Sequence, residues 1–165
     1  MWQDSCDLLS QEWQTPRFLK VHERRWDMSK ATIGTFNSRI IDHFYNPRNA
    51  GIAEGYNHSY LEQDNPWLIR IRFTMRVIQD RIEEVRFLAQ SCVTTTACSS
   101  ALTEIVQGRS VAEALAVTPD QLSDYLGGIP PEKMHCPRLV VETLHRALAS
   151  VPAMTSRVKT TQGDS

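Results

Sequence analysis

The sequence predicts an α+β domain. An apolar stripe of helical period opens the regular part of the chain, strict apolar–polar alternation follows it, and several capped helical segments close it. Strands grouped between helices, rather than alternating with them, point to α+β rather than to a doubly wound α/β sheet. With 165 residues, 41% hydrophobic and 22% charged, the chain holds one domain's worth of core and is ordinarily globular.

The elements follow in order. Residues 1–33 form an N-terminal extension in which Trp2, Trp13 and Trp26 are scattered among charged residues without a clean period, and no function is read from it. The domain proper is expected over residues 34–150. Phe36, Ile40, Ile41 and Phe44 share one helical face, and Asn46-Pro47 ends that helix because proline denies the preceding residue a helical conformation. A polar, Gly-containing stretch from Asn49 to Asn65 reads as loop. Ile69, Ile71, Phe73, Met75 and Val77 then alternate with Arg70, Arg72, Thr74 and Arg76, the period of a half-buried strand. Gln79-Asp80-Arg81 is a turn, and Val85, Phe87 and Ala89 continue the alternation, so an antiparallel hairpin is expected. Arg70 and Arg72 are expected to face Glu83 or Glu84 across it.

After Cys92 the stripe Val93, Ala97, Ala101, Leu102, Ile105, Val106 predicts a helix closed by Gly108. Ser110 with Glu113 forms a capping box for a short helix through Val117, and Thr118-Pro119 starts another. Gly127-Gly128-Ile129-Pro130-Pro131 is a stiffened loop. A last helix is expected from Pro137, carrying Leu139, Val140, Leu144, Ala147 and Leu148, and residues 151–165 read as a polar tail.

Several function classes drop out. A formal net charge of -1 argues against a dedicated nucleic-acid or anionic-membrane binder. The strand arginines have acidic neighbours and read as a solvated face. No apolar run approaches the roughly 18 residues that span a bilayer. The N-terminus lacks a basic, then apolar, secretory pattern, so a cytoplasmic location with reduced cysteines is expected.

Of the four cysteines, Cys92 and Cys136 occupy helix entrances. A thiol there feels the positive end of the helix and leans toward the nucleophilic, metal-binding thiolate. His135 adds a nitrogen ligand or proton acceptor beside Cys136. Two buried thiols or a partial soft-metal site both satisfy this pattern. Cys98 lies about 240° around the same helix from Cys92, at about 100° per residue, and reads as a small core residue. Cys6 receives no role. His22, His43, His58 and His145 read as surface or satisfied histidines.

Three segments resemble the IscU/NifU-type iron–sulfur cluster scaffold family. Ile40 to Gly51, containing Asn46-Pro47-Arg48-Asn49, is similar to its opening helix and turn. Ser91-Cys92 with the small-residue helix behind it is similar to its second-cysteine segment, and Ile129-Pro130-Pro131-Glu132-Lys133-Met134-His135-Cys136 to its third, in wording closest to the NifU branch. The resemblance covers about residues 36–149 and implies a three-stranded antiparallel sheet with helices packed on one face, and a shallow loop-built metal site at one end. It implies that Cys92, Cys136 and His135 hold a [2Fe–2S] cluster or iron, with zinc as the alternative, and that Cys136 accepts persulfide. The family's first cysteine and its aspartate have no match: Gln63-Asp64-Asn65-Pro66-Trp67-Leu68-Ile69-Arg70 stands there. A [2Fe–2S] cluster takes four protein ligands, so Asp64 or a partner chain is the candidate to complete the set.

The expected role is therefore a scaffold, not an enzyme, that receives sulfur from a cysteine desulfurase and serves apo iron–sulfur proteins, with a homo-oligomer among its expected assemblies. Two alternatives stand beside it: a zinc-bound or metal-free regulatory module of the same pathway, and a persulfide-carrying sulfurtransferase. Residues Ile129, Pro130, Pro131, Glu132 and Lys133 resemble a stretch gripped by an Hsp70-type chaperone, and also read as a proline-stiffened loop that aims His135 and Cys136.

Overall fold

The computed structural model describes residues 36–150. The extension with Cys6 and His22, and the tail from residue 151, lie outside them. Helix α1 spans Ser38–Tyr45, strands β1, β2 and β3 span His58–Glu62, Arg70–Ile78 and Arg81–Gln90, and helices α2 and α3 span Val93–Val106 and Val111–Leu115. Helix α4 spans Pro119–Tyr125, a 3-10 turn covers Pro131–Lys133, and α5 spans His135–Ala149. The sheet is antiparallel in the order β1-β2-β3. The α+β class and the three-stranded sheet stand as expected.

Helix α1 starts where the Asn37 side chain accepts the Arg39 and Ile40 N–H groups at 3.0 and 3.1 Å. The β2–β3 turn is tight: Gln79 and Asp80 have φ of 49° and 63°, the pair of left-handed residues that suits the right-handed twist of a two-residue hairpin. Both capping boxes form, Ser110 with Glu113 and Thr118 with Gln121. Helix α3 closes at Leu115 rather than Val117.

On the helix-facing side of the sheet, Ile71, Phe73 and Met75 stand opposite Ala89, Phe87 and Val85, and all join one core with Ala97, Ala101, Leu102, Leu144 and Leu148. Helix α5 lies along β1 and β2, and α2 lies along β3. Burying one such aliphatic or aromatic side chain stabilises the fold by about 1.5–3 kcal/mol.

Two expectations are corrected. Glu84 stands opposite Arg76, with a 3.9 Å ion pair, and bonds Arg86 at 2.6 Å; Arg70 and Arg72 pair across the hairpin with Gln90 and Leu88. The tight turn at Gln79-Asp80 is the physical reason, since folding the chain back there sets Arg76 opposite Glu84 and leaves Arg70 and Arg72 toward the far end of the hairpin. The stretch from Asn49 to Asn65 is not all loop but holds β1. Its helix-facing residues, opposite Met75, Phe73 and Ile71, are His58, Tyr60 and Glu62. Glu62 is only 5% exposed and is neutralised by Arg146 of α5 at 3.1 Å.

The segment Asp42 to Gly51 ties three elements together. Arg48 pairs with Asp42 and lies 3.6 Å from Glu104 of α2, while its N–H donates to Ser100 Oγ at 2.8 Å. Buried His43 holds the same hydroxyl at 2.9 Å through Nδ1. Phe87 N–H donates to Asn49 O at 3.1 Å and Gly51 N–H to Phe87 O at 2.8 Å, so the turn is stitched onto β3. Helix α2 is buried on its polar side as well: Thr94, Thr95, Ser99, Ser100 and Thr103 are covered by neighbours. Small hydroxyl side chains permit that approach because Ser99 and Thr103 donate back to the carbonyls of Thr95 and Ser100 at 2.9 and 2.7 Å.

Burial, assisted by the Arg48 cation, pushes the His43 pKa down, against the opposing pull of Glu104 and Asp42, and burial pushes His58 the same way. A histidine whose folded pKa is lowered leaves stability intact above the unfolded value of about 6.5 and removes it as pH falls through the lower folded value. Urea unfolding midpoints are accordingly expected to hold between pH 7 and 8 and to drop below about pH 6.5, and His43→Gln should flatten that drop. A parent protein whose midpoint rises on acidification would contradict this.

Candidate functional site

The site lies where two helices begin and one loop passes over them. Cys92 is the N-cap of α2, at the end of β3, and is exposed. His135 opens α5 and Cys136 follows it, so this helix starts two residues earlier than Pro137; a proline fits its first turn, where no backbone N–H donor is required. The two helix starts meet: Cys92 Sγ and Cys136 Sγ are 3.9 Å apart, and His135 Nε2 is 3.4 Å from Cys136 Sγ. Thr95 Oγ1 stands 3.3 Å from Cys92 Sγ.

The electrostatics separate the two thiols. Cys136 is 0% exposed; its thiol donates toward Cys92, and together with Thr95 and the first-turn backbone this holds the Cys92 pKa well below that of an ordinary thiol. The same contact, with burial, keeps Cys136 protonated. Cys98 is fully buried, and burial pushes its thiol far up, so it is a core residue as its place on the helix indicates.

The indole ring of Trp67 stacks on the His135 imidazole, with centroids 5.0 Å apart and planes 15° from parallel. The loop that brings it there is clamped by Asn65, whose Nδ2 donates to Ile69 O at 2.6 Å and whose Oδ1 accepts the Ile69 N–H at 3.1 Å. Trp67 is the site residue that the sequence reading missed. Its only signal was its place in the segment where the family resemblance expects a cysteine. Asp64 is exposed and makes no contact with the sulfur pair, whereas Cys92, Cys136 and His135 are brought together. Ile129 is buried, its N–H donating to Ser123 Oγ at 2.9 Å, while Pro131 and Glu132 are exposed and Lys133 is half-buried.

Chemically, the pair fits one soft ion. Two thiolates bound tetrahedrally at about 2.3 Å are about 3.8 Å apart, and the sulfurs already stand at 3.9 Å. Among the described residues no group of three or more His, Cys, Asp or Glu side chains is arranged around a metal position. No helix among them is long and apolar enough to cross a membrane.

A helix-backed sheet that offers paired thiols from two helix starts defines a domain built to handle soft metal or sulfur. The comparisons make this specific. A family model described as the NifU-like N-terminal domain matches residues 35–158. The chain is 39% identical over 127 residues to the iron–sulfur cluster assembly scaffold protein IscU of Aquifex aeolicus, covering 75% of this chain and 80% of that protein. It is 34% identical over 113 residues to the scaffold protein IscU 1 of Archaeoglobus fulgidus, covering 68% and 74%. Among solved structures, the N-terminal part of a nitrogen-fixing NifU-like protein from Brucella abortus shares the fold, with a TM-score of 0.55 at 13% identity over 68% of this chain and 91% of that one. The chain belongs to the NifU-like N-terminal domain family.

Proposed function

We propose that this chain is an iron–sulfur cluster assembly scaffold that carries iron and sulfide on Cys92 and Cys136, with His135 beside them. One observation supports the reading above the others: the two sulfurs stand at the spacing of two thiolates on a single tetrahedral metal ion. The two IscU relatives are iron–sulfur cluster assembly scaffold proteins. Iron and sulfide are cargo here. A [2Fe–2S] cluster is the form proposed, with zinc as a substitute ion for the same sulfurs. Sulfur comes from a cysteine desulfurase and the cluster passes to apo iron–sulfur proteins; within the segment Ile129, Pro130, Pro131, Glu132, Lys133, the exposed Pro131 and Glu132 are what an Hsp70-type chaperone would reach, while Ile129 is buried.

Anaerobic incubation with iron and sulfide, followed by absorbance and metal analysis, tests the reading. Cluster absorbance with bound iron is expected; bound zinc without any iron uptake would replace this reading with that of a regulatory module. For sulfur entry, a desulfurase with cysteine is expected to leave persulfide within the Cys92/Cys136 pair. Because Cys92 is exposed and Cys136 buried, mass mapping of a brief reaction should find the sulfur on Cys92 before Cys136. Persulfide on neither thiol would remove the desulfurase from the scheme.

A further inference from the structure

We propose that Trp67 is a positioning residue of this site: it pins the His135 imidazole beside Cys136 Sγ and off the metal, so that cargo rests on the two sulfurs and stays releasable. The inference rests on the scaffold reading and names what regulates the grip of that site.

The loop delivers the indole under constraint. The Asn65 side chain bonds both the N–H and the carbonyl of Ile69, and its backbone carbonyl accepts the Leu68 N–H at 3.2 Å. Leu68 is thereby held in the left-handed region, at φ 53°, which is disfavoured for a residue with a branched side chain. Strain of this kind persists only where the surroundings over-determine it, and the side chain placed just before it in the chain is Trp67. Trp67 is 49% exposed, and one face of its ring lies on His135, with centroids 5.0 Å apart and planes 15° from parallel. A ring pair stacked this closely resists rotation of the imidazole about its side-chain bonds.

The donors are arranged to match. The two sulfurs stand 3.9 Å apart, near the spacing of two thiolates on one tetrahedral ion. Among the described residues no third His, Cys, Asp or Glu joins them in a metal-holding group, and His135 is no exception although its Nε2 is 3.4 Å from Cys136 Sγ. The proposal puts the ring proton on that nitrogen, where the N–H donates to the sulfur and offers the metal no lone pair. Such a hydrogen bond tunes the metal–sulfur bond without adding a bond to the metal, whereas ligation by the imidazole would add one. Cargo that must leave is better served by the first arrangement. The indole itself carries a donor only and cannot replace the ligand it keeps away.

The test begins on the full chain without metal. Histidine-selective NMR, with His135 assigned by the signal that His135→Gln removes, is expected to show the Nε2–H tautomer and an upfield ring-current displacement of the imidazole C–H signals. Trp67→Ala should abolish the displacement and Trp67→Phe restore most of it, with melting curves as the fold control. The Nδ1–H tautomer, or a displacement that survives in Trp67→Ala, overturns the inference. Cobalt(II) then stands in for the cargo, since its visible bands distinguish nitrogen from sulfur ligands. The parent and Trp67→Phe should give a sulfur-dominated spectrum, while Trp67→Ala gains a nitrogen ligand. Partners merely behind a metal ligand shift affinity by about 10–100-fold, so the gained ligand should tighten cobalt binding by at least about tenfold. Adding His135→Gln to Trp67→Ala should return the affinity to the parent's. Cobalt bound equally by the parent and Trp67→Ala, or more weakly by Trp67→Ala, overturns the inference and leaves the scaffold reading standing. No cobalt retained by any form overturns both.

Discussion

Cys92→Ser is expected to abolish iron and cluster retention while leaving the domain folded. Serine is a stronger N-cap than cysteine, so helix α2 keeps or gains stability at its first residue, and the exposed position has no packing to lose. The substitution exchanges a soft thiolate for a hard, protonated hydroxyl at one of the two sulfurs that stand 3.9 Å apart. Changes merely behind a metal ligand cost 10–100-fold in affinity, so loss of the ligand itself should exceed about 100-fold. Iron per chain after reconstitution and desalting reads the effect, with circular dichroism and a melting curve as the fold control. A folded variant that retains parental iron would remove Cys92 from the site. Cys136→Ser is a poorer probe, since it buries a hydroxyl at a 0% exposed position and perturbs the fold as well as the ligand.

The second large effect falls on the core. Phe73→Ala should lower unfolding free energy by about 3–5 kcal/mol, a large share of the 5–15 kcal/mol typical of a domain. Phe73 is 0% exposed on the central strand, faces Phe87 with ring centroids 6.4 Å apart, and lies opposite Tyr60 on β1. Removing its ring opens a cavity where both strand pairs meet the helices, and rigid neighbours on three sides prevent collapse into it. Urea titration at neutral pH reads the loss. Phe73→Leu should cost under half as much because most of the volume stays. A Phe73→Ala protein within 1 kcal/mol of the parent would show that this core does not pack as described.

These two positions also mark where the sequence was legible. Phe73 is readable because its neighbours Ile71 and Met75 keep strict alternation, and the hairpin follows from the turn between them and Val85. Cys92 and Cys136 are readable because helix starts have local signals, and a thiol at such a start has a chemistry of its own. Strand β1 was hidden since its core-facing residues are His58, Tyr60 and Glu62, and the charge that makes Glu62 tolerable arrives from Arg146, distant in sequence. Helix α2 shows one apolar stripe in sequence but is buried on the other side too, because its hydroxyls meet partners from α1 and from its own turns. Trp67 stands in the segment without the family's cysteine; that it covers His135 depends on how the loop and α5 are placed in three dimensions, which no local pattern encodes.

The sulfur pair joins residues 44 positions apart, one from each of two helix starts, and it exists only while α5 is docked on α2. Whatever ion bridges the two sulfurs therefore also fastens the last helix to the domain, and binding that is confined to the folded state adds to its stability, by about 2.7 kcal/mol when the ligand stands at a hundred times its dissociation constant. Cargo and fold are thermodynamically linked in both directions. On the proposed function, a scaffold that has given up its iron is expected to be less stable than the one that carried it, with the docking of α5 as the place where the difference falls.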